Sequence, residues 1–159
     1  MTHSVNTMQW LIGPMTSLIT DANHLVLAGV TVEDTVHVVA RHGEIMSSWS
    51  LNQHQRANET TIQIICQQTM LKLEYHTQRL LKMTETGKSW EVLLECQLER
   101  DDNFVAQAEM FLDALAGQGQ VTCTIAEANE TLKASLAMLE SNKRRAWVDI
   151  DMTSIGVPE

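Results

Sequence analysis

The apolar residues change period inside residues 58–98, and no other feature of the chain limits its fold as much. Ile62, Ile65, Cys66, Thr69, Met70 and Leu73 recur at steps of three and four, which places them on one stripe of a helix. Asn58 ahead of them can accept from an otherwise unpaired backbone N–H, and Glu59 puts negative charge in the first turn. From Trp90 the step becomes two. Trp90, Val92, Leu94, Cys96 and Leu98 alternate like a strand with one buried face. A strand over 80–83, turned by Glu85-Thr86-Gly87-Lys88, pairs with it antiparallel. The stretch therefore predicts one helix followed by two strands, with no catalytic motif in it.

The flanking elements follow from the same signals. Met8, Leu11, Ile12, Met15, Leu18 and Ile19 have helical spacing, interrupted by Gly13-Pro14, and predict a helix over 6–20 with a disturbed first half. Three short apolar runs, 25–29, 35–41 and 45–51, are joined by Glu33-Asp34 and His42-Gly43-Glu44 and read as antiparallel hairpins. Asp101 or Asp102 caps a third helix whose stripe is Phe104, Val105, Ala108, Phe111, Leu112 and Leu115, and Gly117-Gln118-Gly119 stops it. Thr124 and Glu127 form a capping box for a fourth, with Ile125, Ala128, Leu132, Leu136 and Leu139 as its apolar stripe. The basic Lys143-Arg144-Arg145 suits that helix's C-terminus. These elements predict an α+β fold: an antiparallel sheet of about five strands, helices in the order α-βββ-α-ββ-α, and an extra C-terminal helix. Residues 1–145 form a single domain and 146–159 a C-terminal tail.

Charge narrows the partners. Eleven Lys and Arg against 20 Asp and Glu leave −9, which disfavours nucleic acid and anionic membranes. No run approaches the ~20 apolar residues of a membrane-spanning helix. The first 13 residues lack Lys and Arg, so they do not read as a signal peptide. Nine Met suggest either gap-filling in a core or an adaptable surface.

Candidate chemistry is sparse. The six His (His3, His24, His37, His42, His54 and His76) show no metal-ligand spacing, and Cys66, Cys96 and Cys123 form no CxxC. Cys66 and Cys96 fall on predicted apolar faces, where burial makes a thiol inert. Glu33-Asp34 and Asp101-Asp102 are accounted for by turns and caps, and the seven Gly are scattered rather than gathered into a phosphate loop. The expectation is a chain with no catalytic residue, no metal and no cofactor. Amphipathic faces in excess of what one sheet can cover point to an interaction module.

The three-strand meander over 25–51, the helix over 58–73, the strand pair 80–83 and 90–98, and the helix opened by Asp101-Asp102 together resemble the class I chaperones of bacterial type III secretion, the Tir-chaperone (CesT-like) family. The likeness is one of element order and acidic composition over residues 6–116. It implies a cytoplasmic, non-enzymatic homodimer that holds the N-terminal segment of a secreted effector and hands it to the secretion ATPase. It further implies an effector groove at Met8, Leu11, Met15, Leu18, Leu25 and Leu27. The implied dimer surface is at Ile62, Ile65, Met70, Leu73, Trp90, Val92 and Leu94. The alternatives are a small ligand-binding or enzymatic α+β domain, and a structural or regulatory subunit of a larger assembly.

Overall fold

The computed structural model describes residues 2–151. In chain order the elements are α1 (Thr2–Ile12), β1 (Ser17–Asn23), β2 (Thr35–His42), β3 (Ile45–Asn52), β4 (Thr61–Ile65), β5 (Met70–Glu74), β6 (Arg79–Met83), β7 (Glu91–Glu95), α2 (Asp102–Leu115), α3 (Ile125–Arg144) and β8 (Val148–Asp149), with a 3-10 turn at Tyr75–Thr77. The fold is α+β, but with two antiparallel four-stranded sheets and three helices rather than one sheet and four helices. The chain forms two compact units: the segment up to His54 with the segment from Thr122 onward, and Gln55–Val121 between them.

In the first unit the strand order is β3-β2-β1-β8. The β2–β3 hairpin turns where expected, and its register pairs Val36 with Leu51, Val38 with Trp49 and Ala40 with Ser47. Paired residues share a face of an antiparallel sheet. Val38, Ala40 and Leu18 of that face join Val5 of α1, Met15, and Ala134, Ala137 and Met138 of α3 in one core. Residues 6–20 do not form one helix. The chain leaves α1 at Gly13, whose φ of +93° a Cβ would strain, and Pro14 cannot continue the helix ladder. Strand β1 then begins at Ser17. Beyond residue 145, Val148 pairs with Leu18, and Val148 and Ile150 are buried in the core, so this part of the expected tail belongs to the first unit. Residues 152–159 of that tail lie outside the described residues.

Helix α3 opens on the expected capping box. Thr124 Oγ1 accepts from Glu127 N–H at 3.2 Å, and Thr124 N–H donates to the Glu127 carboxylate at 2.7 Å. Its buried face is not the expected one. Thr131, Ala134, Ala137, Met138 and Ser141 are buried, while Leu132, Leu136 and Leu139 are exposed. Small side chains let the helix axis approach the sheet closely, and that requirement outweighs the larger side chains of the leucine stripe.

In the second unit the order is β4-β5-β6-β7. The expected helix over 58–73 is instead the β4–β5 hairpin, with Ile62 opposite Leu73 and Ile65 opposite Met70. Thr60, Thr61, Ile62, Ile64 and Ile65 are β-branched, stiff at χ1, and pack better on a pleated surface than on a helix. The helical spacing arose because two alternating strands were read across their turn. Strands β6 and β7 lie where the sequence places them. Helix α2 also stands where expected, yet none of its residues is buried.

Candidate functional site

Three buried polar groups hold backbone that no strand pairs. Asp34, with 1 % of its surface exposed, accepts the N–H groups of Leu25, Val26 and Leu27 at 2.8–3.1 Å and the Thr35 hydroxyl at 2.9 Å. The Leu27 and Val26 N–H groups, foremost, hold its carboxyl well below the usual range. This clamp explains why the run 25–29 is a loop and not a strand. Buried His42 sets Nδ1 2.6 Å from the Gly13 carbonyl and Nε2 2.9 Å from the Ser47 hydroxyl, tying the end of α1 to the β2–β3 hairpin.

The third group is the C-terminal end of α3. Strand β8 pairs with β1 only at Ser17 and Leu18. Past that point, Ser141 Oγ accepts the Thr20 N–H at 2.9 Å and donates to the Ala146 carbonyl at 2.7 Å. Asn142 accepts the Ala22 N–H at 2.8 Å and donates to the Ala22 carbonyl at 3.0 Å. Two helix side chains thus satisfy a strand edge. In the second unit Gln78 does the same for Leu98, accepting its N–H at 2.6 Å and donating to its carbonyl at 2.9 Å. These groups are occupied by the fold and are not available for chemistry.

Among the described residues of the first unit, two concavities combine polar and apolar linings. The larger, about 780 Å³, crosses three strands on the sheet face away from the helices. Ile19, Val39 and Ser48 form one cross-strand rung of its floor, Asp21, His37 and Ser50 the next, and Asn142 and Arg145 of the α3 end also line it. The smaller, about 390 Å³, lies between α1 and the start of α3 and is lined by Asn6, Gln9, Trp10, Thr122, Glu127 and Glu130 among others. Trp10 is 75 % exposed. Asn6 and Gln9 donate to Thr131 Oγ1 at 3.2 and 3.4 Å. Glu130 binds Lys133 through Oε1 at 3.1 Å, and its buried Oε2 has no hydrogen-bond partner among the described residues. Neither site is marked in the sequence, because their residues are scattered and joined only by strand register or helix packing. The described residues hold no cluster of three His, Cys, Asp or Glu placed to bind a metal ion.

The residues singled out by sequence do not converge. Met15 and Leu18 are fully enclosed, Met8 packs beside them, Leu11 is half-buried, Leu25 is exposed and Leu27 half-buried on the Asp34-clamped loop. Of the second set, Ile62 and Leu73 share one sheet face while Ile65 and Met70 occupy the other. The stripe Trp90, Val92, Leu94 is split by a bulge: Leu94 lies opposite Leu80, but Val92 opposite the adjacent Leu81. Trp90 stacks under Lys72 Nζ at 4.5 Å. Lys72 and Arg79 each reach Glu74 at 2.8 Å and draw its carboxyl down to about 2. Cys66, expected buried, is exposed in the β4–β5 turn.

No protein-family model and no curated protein matches the sequence. Solved structures do match its fold. A levoglucosan dehydrogenase in complex with NADH aligns with a TM-score of 0.82 at 17% identity, over 94% of this chain and 48% of that one. An oxidoreductase from Agrobacterium radiobacter in complex with NAD+, L-tartaric acid and magnesium aligns with a TM-score of 0.79 at 18% identity, over 93% and 47%. The WlbA dehydrogenase from Bordetella pertussis, in complex with NADH and UDP-GlcNAcA, aligns with a TM-score of 0.73 at 17% identity, over 95% and 46%. The chain spans about half the length of the structures it matches. These matches overturn the likeness to secretion chaperones, and with it the non-enzymatic role, the effector and secretion-ATPase partners and the chaperone homodimer. No helix among the described residues is long and apolar enough to cross a membrane. What the chain shares with these solved structures is the fold, over about half of their length.

Proposed function

We propose that this chain is the substrate-side portion of an NAD-linked oxidoreductase acting on sugars or sugar-derived hydroxy compounds. The observation that carries the reading is the 0.82 TM-score over 94% of the chain to a levoglucosan dehydrogenase that holds NADH. Two other matched structures hold L-tartaric acid and UDP-GlcNAcA, which belong to the same class of polyhydroxylated compound.

The dinucleotide itself does not fit the described residues. Nucleotide cradles of this kind use parallel strands, a Gly-rich turn and a helix N-terminus. Every strand pairing here is antiparallel, and the glycines stand singly in the chain apart from Gly117 and Gly119 after α2. The described residues therefore do not supply a dinucleotide cradle.

What this chain contributes is a substrate-facing surface. The hollow beside α1 has the parts a polyol needs. The exposed face of Trp10 stacks on sugar C–H groups, and Glu130 Oε2 offers an acceptor for a ligand hydroxyl. The exposed Leu132, Leu136 and Leu139 stripe on α3 supports the same reading, because apolar patches of this kind mark surfaces that meet another body.

The test is to express the chain with the coding sequence that adjoins it in its source and to measure NADH binding and sugar-dependent NAD+ reduction. The 159-residue chain alone should leave NADH fluorescence unchanged, and the longer protein should bind NADH and reduce NAD+ with a sugar or hydroxy acid. Failure of the longer protein to bind any dinucleotide would overturn the reading.

A further inference from the structure

We propose that a third cleft of the first unit, between the inner face of its sheet and α3, binds a neutral aliphatic alcohol, with the Thr20 hydroxyl as the partner of the ligand's own. The cleft has a volume of about 270 Å³ and is chiefly apolar. Strand register builds its floor: Ala22, Val36 and Leu51 lie side by side on β1, β2 and β3, on the face that carries the core. Met138 and Leu139 of α3 form the facing wall. Thr20 and Met138 are buried and close the inner end, whereas Val32, Glu33 and Leu139 are exposed at the mouth.

Thr20 makes this more than a gap in the packing. It is 5 % exposed, and its Oγ1 has no hydrogen-bond partner among the described residues. A buried hydroxyl normally has one, because leaving water unmatched is costly. Valine has the same shape and would carry no such cost. Threonine here is accounted for by a partner that comes from outside the chain. The neighbouring side chains are engaged already: Ser135 donates to the Thr131 carbonyl at 2.8 Å, and Asn142 holds both backbone groups of Ala22. A lone water needs two or more polar partners to be held, and Thr20 supplies the one unengaged side chain at the inner end. The rest of the lining selects the body of the ligand. Glu33 is its one charged residue, so a carboxylate or phosphate is repelled at the mouth and meets no cation inside. A charged head of either sign would also lose its hydration at the inner end. Cavities of roughly 150 Å³ hold a benzene ring, so this one takes a chain of roughly ten non-hydrogen atoms or fewer. Its hydroxyl meets Thr20, and its methylenes lie along Ala22, Val36 and Leu51. The cleft shares no residue with the hollow beside α1, so its ligand is independent of the oxidoreductase reading.

The test adds 1-hexanol to the 159-residue chain and follows amide chemical shifts. The amides of Ala22, Val36 and Leu51 should shift and saturate, and hexanoate and hexylammonium, of the same length, should bind about tenfold or more weakly. Thr20→Val should weaken hexanol about threefold to tenfold, yet bind 1-chlorohexane, which has the chain without the hydroxyl, no more weakly than the unaltered chain does. Leu139→Asp is a second variant, at an exposed position on α3. It should weaken both neutral ligands with an unchanged circular dichroism spectrum. Absence of a saturable hexanol shift overturns the proposal. So does tighter binding of either charged probe, equal weakening of hexanol and 1-chlorohexane by Thr20→Val, or hexanol binding that neither variant changes.

Discussion

Replacing Ser141 with alanine tests the idea that the end of α3 does the work of a strand. The serine is fully enclosed, and its hydroxyl serves two backbone groups at once, the Thr20 N–H and the Ala146 carbonyl. Alanine fits the space but leaves both without a partner. A buried polar group left unmatched costs about 1–3 kcal/mol. Ala146 is only half-buried, so its carbonyl recovers part of the loss in water. The expected destabilisation of the first unit is therefore about 2–4 kcal/mol, which corresponds to roughly 30- to 1000-fold faster exchange of the Thr20 amide. Ser135 on the same helix is the control. Its hydroxyl donates to the Thr131 carbonyl one turn back, so Ser135→Ala should change stability by no more than about 0.5 kcal/mol. The assay is residue-resolved hydrogen exchange together with urea unfolding. If Ser141→Ala matches Ser135→Ala in both, the edge is held by packing and the argument fails.

Other expectations follow from the same geometry. Gly13→Ala should cost about 1–2 kcal/mol in urea unfolding, because φ is +93° there although nothing crowds the added Cβ. Leu136→Gln on the exposed stripe of α3 should leave stability within about 0.5 kcal/mol, while Ala137→Leu on its sheet-facing side should cost about 1–3 kcal/mol by overpacking; the reverse result would restore the face expected from sequence. The folded state holds Asp34's proton more weakly than the unfolded chain, whose ordinary value is near 3.8. The clamp's contribution is thus complete above that value and fades as pH falls below it, so the amide signals of Leu25, Val26 and Leu27 should stay fixed while exposed carboxylates titrate. Glu74 should behave alike in the second unit, staying ionised until pH approaches about 2, and Lys72→Met should bring its titration upward.

Sequence reading succeeded where one local rule decided the outcome. The β2–β3 hairpin, the β6–β7 pair, the capping box at Thr124 and the stop at Gly117 all depend on neighbours within a few residues. It failed where distant partners decided. Ile62 to Leu73 fits a helical stripe as well as a hairpin, and only the β-branched run from Thr60 to Ile65 argued for strands. The buried face of α3 was chosen by closeness of approach to the sheet, which hydrophobicity does not encode. Residues 25–29 became a loop because Asp34, seven to nine residues away, captured three successive N–H groups. The open-face groove was invisible in sequence because Asp21, His37, Ser50 and Arg145 meet only through register and a helix end. The likeness to a secretion chaperone rested on an element order containing a helix over 58–73 that does not exist, so it fell with that helix.

The first unit is assembled from two segments separated by the Gln55–Val121 unit, and this orders events during synthesis. Residues up to His54 carry Leu18, Val38 and Ala40, but α3 and β8, which complete their core, are made only after the Gln55–Val121 unit. The Gln55–Val121 unit, contiguous and built from hairpins between successive strands, emerges whole in the interval. Local contacts form faster than distant ones. The β1 edge therefore waits open until Ser141 and Asn142 arrive to close it.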